Sequence, residues 1–134
     1  MGAEFVSHSH KSNGAETKGF LYYGTNSYAV EMDDRPLAHL KVAMLSLLRA
    51  GKCMAFTFDR SAELGNGRET LWISPSTEIR FRFLGGRPPR INEPWVRSII
   101  ATADSPTGLR MVTELADALP DTGGLAHTDV LTAV

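Results

Sequence analysis

The sequence predicts an α+β domain with elements in the order β-β-α-β-β-β-α-β, a mostly antiparallel sheet and both helices packed on one face. Residues 79–83 read Ile-Arg-Phe-Arg-Phe, the alternation of a strand with one apolar and one polar face. Residues 37–48 instead carry Leu and Met at spacings of three and four, which is typical of an amphipathic helix. Two structural periods in one short chain indicate a mixed domain.

The first half of the chain predicts a hairpin, a helix and a strand. Aromatic and β-branched residues at 20–23 and 28–32 flank a Gly-Thr-Asn-Ser turn, which favours a β-hairpin. A helix over residues 34–50 can be capped by an Asp of the Asp33-Asp34 pair and can tolerate Pro36 in its first turn. Gly51 suits its end, and residues 53–58 form the next strand.

The second half predicts two strands within residues 69–84, separated by a Ser-Pro-Ser corner. The glycines and prolines of residues 85–90 end this sheet segment. Asn92 is a natural N-cap for a helix over residues 93–103, and residues 109–113 read as a last short strand. Trp72 and Trp95 each lie inside an apolar pattern, so we expect both in the core or in an interface.

Length and composition are those of one globular domain. We assign the domain to residues 19–114 of the 134, residues 1–18 to a flexible tail or expression tag, and 115–134 to a partly helical or loose tail. A net charge of −1 excludes a strongly basic protein that coats nucleic acid. No apolar run reaches the roughly 18 residues of a membrane helix. No signal-peptide pattern is present, so we expect a cytoplasmic protein without a membrane partner.

The sequence predicts neither a metal nor a cofactor. One Cys and four His lack zinc-type spacing, and no P-loop or Gly-x-Gly-x-x-Gly motif is present. His39 lies beside the apolar stripe of the first helix. It could be the polar group of an enzyme acting on a phosphorylated small molecule, or a boundary histidine hydrogen-bonded to a neighbouring strand or loop.

Arginines between residues 80 and 97 are the main functional indication. Five Arg against one Glu give this stretch a local balance of +4. The candidate anion-binding residues are Arg80, Arg82, Arg87, Arg90 and Arg97. Guanidinium groups bind phosphate through paired donors, which predicts a nucleic-acid or other phosphate-bearing ligand. The alternative is that these arginines solubilise the sheet and pair with Glu69, Glu78 and Glu93.

Several short motifs resemble a known family. They are Asp-Arg-Pro-Leu-Ala-His-Leu-Lys at 34–41, Ile-Ser-Pro-Ser at 73–76, Phe-Arg-Phe at 81–83, Arg-Pro-Pro at 87–89 and Ser-Pro-Thr-Gly-Leu at 105–109. The chain is similar over residues 19–114 to small actinobacterial proteins of unknown function that are often labelled "ATP-dependent DNA ligase". Such ligases use a Lys-x-Asp-Gly nucleophile, and none of the four lysines has that context. The resemblance therefore implies no catalytic residues.

These observations favour a non-catalytic binding or interaction module of unknown ligand. The first alternative is a nucleic-acid- or nucleotide-binding accessory protein that uses the arginine-bearing sheet face and turn. An enzyme acting on a phosphorylated small molecule is a weaker alternative, because no catalytic constellation is recognisable. A homodimer through an exposed sheet edge or a Trp-bearing surface, or contact with another protein, stays open.

Overall fold

The described residues form five strands, two helices and a short 3₁₀ turn. The computed structural model describes residues 18–60 and 62–114, so both predicted tails, apart from Lys18, lie outside it. The elements are β1 (Lys18–Tyr23), β2 (Tyr28–Asp33), α1 (Asp34–Arg49), β3 (Met54–Asp59), the 3₁₀ turn (Ala62–Leu64), β4 (Arg68–Ile73), β5 (Ile79–Arg82) and α2 (Glu93–Thr102). The predicted α+β class with antiparallel strand pairing is confirmed.

The strands divide between two sheets instead of one. The larger sheet has the order β2-β1-β5, and the smaller one pairs β3 with β4. The change of sheet occurs at the Ser-Pro-Ser corner between β4 and β5. There the Thr77 hydroxyl accepts the Ser74 N–H at 2.9 Å, and the Thr77 N–H donates to the Ser74 carbonyl at 2.9 Å. This closed turn directs β5 away from β4 and towards β1.

The last predicted strand is reduced to one bridging residue. Leu109 makes a parallel bridge to Phe56: its N–H donates to the Ala55 carbonyl and its carbonyl accepts the Thr57 N–H. Beyond this bridge the chain turns to α2, where the Trp95 indole N–H donates to the Val112 carbonyl at 2.8 Å. The ladder ends because the backbone after Leu109 finds its partners on the helix.

The core lies between the helices and the inner faces of the sheets. Leu21, Phe56 and Ile73 supply strand side chains that are fully buried. The predicted helical stripes face them, and their buried members are Leu37, Leu40, Met44 and Leu47 of α1 and Trp95, Val96 and Ile99 of α2. Each large apolar side chain buried in this way contributes about 1.5–3 kcal/mol, so no disulfide is needed to hold the domain.

The two helix starts differ in how their caps work. Asn92 caps α2 as predicted, because its side-chain oxygen accepts the Trp95 N–H at 3.3 Å. Asp33 and Asp34 do not cap α1 through their side chains. The Asp33 carboxylate lies 3.5 Å from the Lys18 ammonium. The Asp34 carboxylate instead accepts the N–H groups of the two residues after Phe83, at 3.0 and 2.8 Å. Asp34 therefore fixes the chain that leaves β5.

Gly19 marks the closest approach of β1 to its surroundings and yields a stability prediction. A β carbon at this position would lie 2.9 Å from an Asp34 oxygen, 2.9 Å from a Leu37 methyl and in collision with the Arg82 carbonyl. We expect Gly19→Ala to lower the free energy of unfolding by about 1–3 kcal/mol, as overpacking does. Chemical denaturation followed by circular dichroism measures the change.

The matched control is Gly86→Ala, since a β carbon at residue 86 would meet no atom within 4 Å. This variant should stay within about 0.5 kcal/mol of the parent protein. Equal destabilisation by the two substitutions would contradict the close approach seen at Gly19.

Candidate functional site

Strand register places two aromatic rings beside the two arginines of β5. In the larger sheet Tyr22 pairs with Arg80 and Phe20 pairs with Arg82. Residues that lie opposite each other in an antiparallel pair project to the same face. Both arginines are exposed and both rings are half-buried, whereas the residues between them point inward. We name this surface, formed by Phe20, Tyr22, Arg80 and Arg82, the aromatic–arginine face.

The three flat groups of this face are arranged as a row. The Arg80 guanidinium carbon lies 4.2 Å from the centre of the Tyr22 ring, a cation–π distance. The Phe20 and Tyr22 ring centres are 5.7 Å apart, and their planes differ by 27°. A planar cation and two nearly parallel rings therefore line one strip of the outer sheet surface.

The face keeps its positive charge among the described residues. No carboxylate there lies within ion-pair distance of Arg80 or Arg82. Of the acidic partners expected in the alternative interpretation, Glu69 accepts the Tyr28 hydroxyl at 2.7 Å and lies 4.0 Å from Arg60. The β2 side of the same face is acidic, because Glu31 pairs with Phe20 in the register. The positive charge is thus concentrated along β5.

The other predicted arginines lie on different parts of the fold. Arg87 lines a cleft of about 370 Å³ between α1 and the segment after β5, together with Lys41. Arg90 is exposed, and its carbonyl accepts a hydrogen bond from Arg35 at 3.0 Å. Arg97, on α2, has a side chain only 15% exposed that lies 3.9 Å from Glu93. Of the five, the structure places Arg80 and Arg82 side by side on one face.

A partly buried polar cluster surrounds His39 at the junction of the two helices. We name it the His39 cluster; its members are Arg35, His39, Asn92, Trp95 and Glu114. His39 is fully buried, and its ring centre lies 4.4 Å from that of Trp95. Its Nδ1–H donates to the Arg35 carbonyl at 2.8 Å, and its Nε2 accepts the Asn92 backbone N–H at 2.8 Å.

These two bonds assign the role of His39. A carbonyl can only accept and a backbone N–H can only donate, so the ring is neutral with its proton on Nδ1. Both nitrogens are therefore occupied within the fold, and neither is exposed to a substrate. His39 is thus hydrogen-bonded within the fold, as in the interpretation of a boundary histidine, but it is fully buried, and its partner is not a neighbouring strand or loop. The partner segment is the start of α2.

Glu114 closes the cluster from the end of the described chain. Its carboxylate accepts from the Arg35 Nε–H at 2.9 Å and from the Asn92 side-chain amide at 2.9 Å, and it also pairs with Arg35 Nη2. The Arg35 hydrogen bonds, followed by that from Asn92, lower the pKa of Glu114 from its ordinary 4.5 to about 2. Glu114 thus stays ionised at neutral pH and ties this segment to both helices.

Phe20 and Tyr22 were not among the site residues predicted from the sequence. The alternation of Phe-Leu-Tyr-Tyr at 20–23 could have shown that these two rings share a face. It could not show which strand lies beside them, since β1 and β5 are separated in the chain by β2, α1, β3 and β4. Within residues 18–60 and 62–114, no helix is long and apolar enough to cross a bilayer, and no three His, Cys, Asp or Glu side chains are grouped so that they could hold a metal ion.

Comparison with known proteins assigns a family. A model described as a domain of unknown function, DUF7882, matches residues 18–114. The chain belongs to this family. The match begins where β1 begins and ends at Glu114, so it spans both sheets, both helices and the His39 cluster. No curated protein and no solved structure matches the chain.

The lowered pKa of Glu114 predicts an acid-dependent loss of stability. The folded-state pKa of about 2 lies below the unfolded value near 4.5. The contribution of ionised Glu114 to the free energy of unfolding is therefore complete above the unfolded pKa. It disappears as the pH falls through this window. We expect the melting temperature of Glu114→Gln to depend less on pH between about 4.5 and 2 than that of the parent protein.

Glu78→Gln is the matched control, because Glu78 is exposed and has no ion pair among the described residues. Its melting curve should follow the pH dependence of the parent protein. If Glu78→Gln and Glu114→Gln changed the pH profile equally, the Arg35–Glu114 contact would not be the source of the effect.

Proposed function

We propose that this domain is a non-catalytic module that binds single-stranded nucleic acid on its aromatic–arginine face. One observation carries the proposal: Arg80, Tyr22 and Phe20 form a row of flat groups on an open sheet surface, beside Arg82. Aromatic rings on the outer face of a sheet are platforms on which unpaired bases stack, and guanidinium groups bind the phosphates between those bases.

The arrangement favours a single strand over a duplex. Stacking on a protein ring requires a base whose face is accessible, and the bases of a duplex already stack on one another. The Phe20 and Tyr22 rings stack on each other at 5.7 Å, and the Arg80 guanidinium lies over Tyr22. A base would therefore stack at the Phe20 end of this row or take the place of Arg80 on Tyr22, which gives about two stacking positions. Arg80 and Arg82 border the rings on one side, where a phosphate backbone would run along β5.

The charge distribution supports local recognition. The whole chain has a net charge of −1, so its long-range field does not attract nucleic acid. Affinity must come from the face itself, through stacking and about two phosphate contacts. A module of this kind discriminates weakly between sequences, because every base has a π face. We expect it to act in the cytoplasm, as the sequence predicts.

The occupied nitrogens of His39 favour binding over acid–base chemistry. A general base needs a nitrogen within reach of its substrate, and here the described fold uses both. The similarity to actinobacterial proteins labelled as DNA ligases stays a prediction. Without a Lys-x-Asp-Gly motif, any connection of this chain with DNA would rest on binding.

Removing an aromatic ring tests the stacking platform. We expect Tyr22→Leu to weaken binding of a fluorescent oligothymidine or oligouridine probe about 5- to 150-fold, the loss of roughly 1–3 kcal/mol per stacked base. Fluorescence anisotropy measures the dissociation constant. Tyr28→Leu is the control, because Tyr28 belongs to the other face of the same sheet and should leave the affinity within about twofold.

Removing the two cations tests the phosphate contacts. In Arg80→Ala/Arg82→Ala, the plot of log affinity against log salt should become shallower by about 1.4, since each phosphate contact on a single strand contributes about 0.7. Arg49→Ala/Lys52→Ala removes two exposed charges at the end of α1 and should keep the parent slope. Absence of probe binding at low salt, or equal slopes in the two double variants, would overturn the proposed function.

A further inference from the structure

β4 is an edge strand whose outer side has no strand partner among the described residues. It pairs with β3 in register, and the smaller sheet contains just these two strands. The opposite edge of that sheet is extended by the Leu109 bridge to β3. An unpaired edge presents a row of backbone donors and acceptors that can pair with another strand.

The register identifies which groups of β4 face outward. Ala55 and Thr57 bond to Leu109, so their backbone groups point away from β4. Backbone direction alternates along a strand, so Phe56 points towards β4 and bonds with its register partner Leu71. Every second residue of β4, beginning with the two that flank Leu71, therefore directs its N–H and C=O groups to the free edge. They are Arg68, Thr70 and Trp72.

The same three residues carry the exposed side chains of β4. Arg68, Thr70 and Trp72 project to the solvent side, whereas Leu71 and Ile73 between them are buried. Trp72 is 60% exposed, so of the two predicted locations, core or interface, the core does not apply. An exposed indole on an unpaired edge is unusual for an isolated subunit and typical of an interface.

We propose that β4 pairs antiparallel with β4 of a second copy of this chain, about a twofold axis at Thr70. In this register Thr70 lies opposite its own counterpart, and Arg68 of each copy lies opposite Trp72 of the other. All three pairs are of the type that exchanges both backbone hydrogen bonds. Each Arg68 guanidinium is then placed across the strands from an indole, the best ring for a cation–π contact.

This self-complementarity selects a second copy over an unrelated strand. A twofold axis repeats the Arg68–Trp72 contact on both sides of Thr70, so one sequence supplies a cation and a ring twice. The edge has no Pro and no Lys, two devices by which sheet edges avoid pairing. The Tyr23 hydroxyl already donates to the Trp72 carbonyl at 2.8 Å. That oxygen has a second lone pair for an N–H of the partner strand.

The experiment combines mass with site-specific crosslinking. The full chain should show, in light scattering after size exclusion, twice its 14.6 kDa mass at high concentration. With Cys53 replaced by Ser, Thr70→Cys should form an intermolecular disulfide rapidly under mild oxidation. Paired residues of this type lie about 5.5 Å apart, within the roughly 4.4–6.8 Å that a disulfide spans. Arg68→Cys is the matched control: it lies opposite Trp72, so it should stay uncrosslinked.

Thr70→Pro tests the hydrogen bonds themselves. It removes an outward N–H that β3 does not use, and edge strands tolerate Pro at such positions. We expect this variant to be monomeric with an unchanged circular dichroism spectrum, and Trp72→Ala to weaken association by tenfold or more. A monomer at every concentration would overturn the proposal. So would a dimer in which Arg68→Cys crosslinks as fast as Thr70→Cys, whatever the folding of Thr70→Pro.

Discussion

The backbone pairing of β1 with β5 is the contact on which the rest of the structure depends. It joins Phe20 to Arg82 and Tyr22 to Arg80 across more than half of the domain. Because side chains alternate, the same register buries Leu21 while it exposes the aromatic–arginine face. A slip by one residue would turn the arginines into the core. The close approach at Gly19 and the Asp34 carboxylate both hold β5 in this register.

The His39 cluster holds the two helices in position, as the β1–β5 pairing holds the larger sheet. A fully buried imidazole is costly unless both nitrogens are bonded, and here each has one partner from a different segment. Glu114 adds a charged contact that reaches both helices through Arg35 and Asn92. The polar groups of the cluster thus fix the position of α2 and of Glu114. Because both nitrogens of His39 are hydrogen-bonded within the fold, this histidine stabilises the structure and is not placed to act as a catalytic base.

The two proposed contact surfaces lie on different sheets. The aromatic–arginine face belongs to the outer side of the β2-β1-β5 sheet, whereas the free edge belongs to β4 of the smaller sheet. The Ser-Pro-Ser corner separates them, because it sends consecutive strands into different sheets. Nucleic-acid binding and self-association can therefore be tested independently. Together they would give a dimer that presents two stacking platforms.

Local patterns determined the elements, and tertiary pairing decided the site. The period-two alternation at 79–83 fixed which side of β5 carries Arg80 and Arg82, and the helical stripes fixed which side chains of α1 and α2 are buried. The capping role of Asn92 could be predicted from the sequence because capping is a local interaction. Three features could not be predicted from the sequence: the division into two sheets, the neighbours of Arg80 and the exposure of Trp72. These features depend on which distant strands pair, and strand alternation specifies a face without specifying the strand that lies beside it.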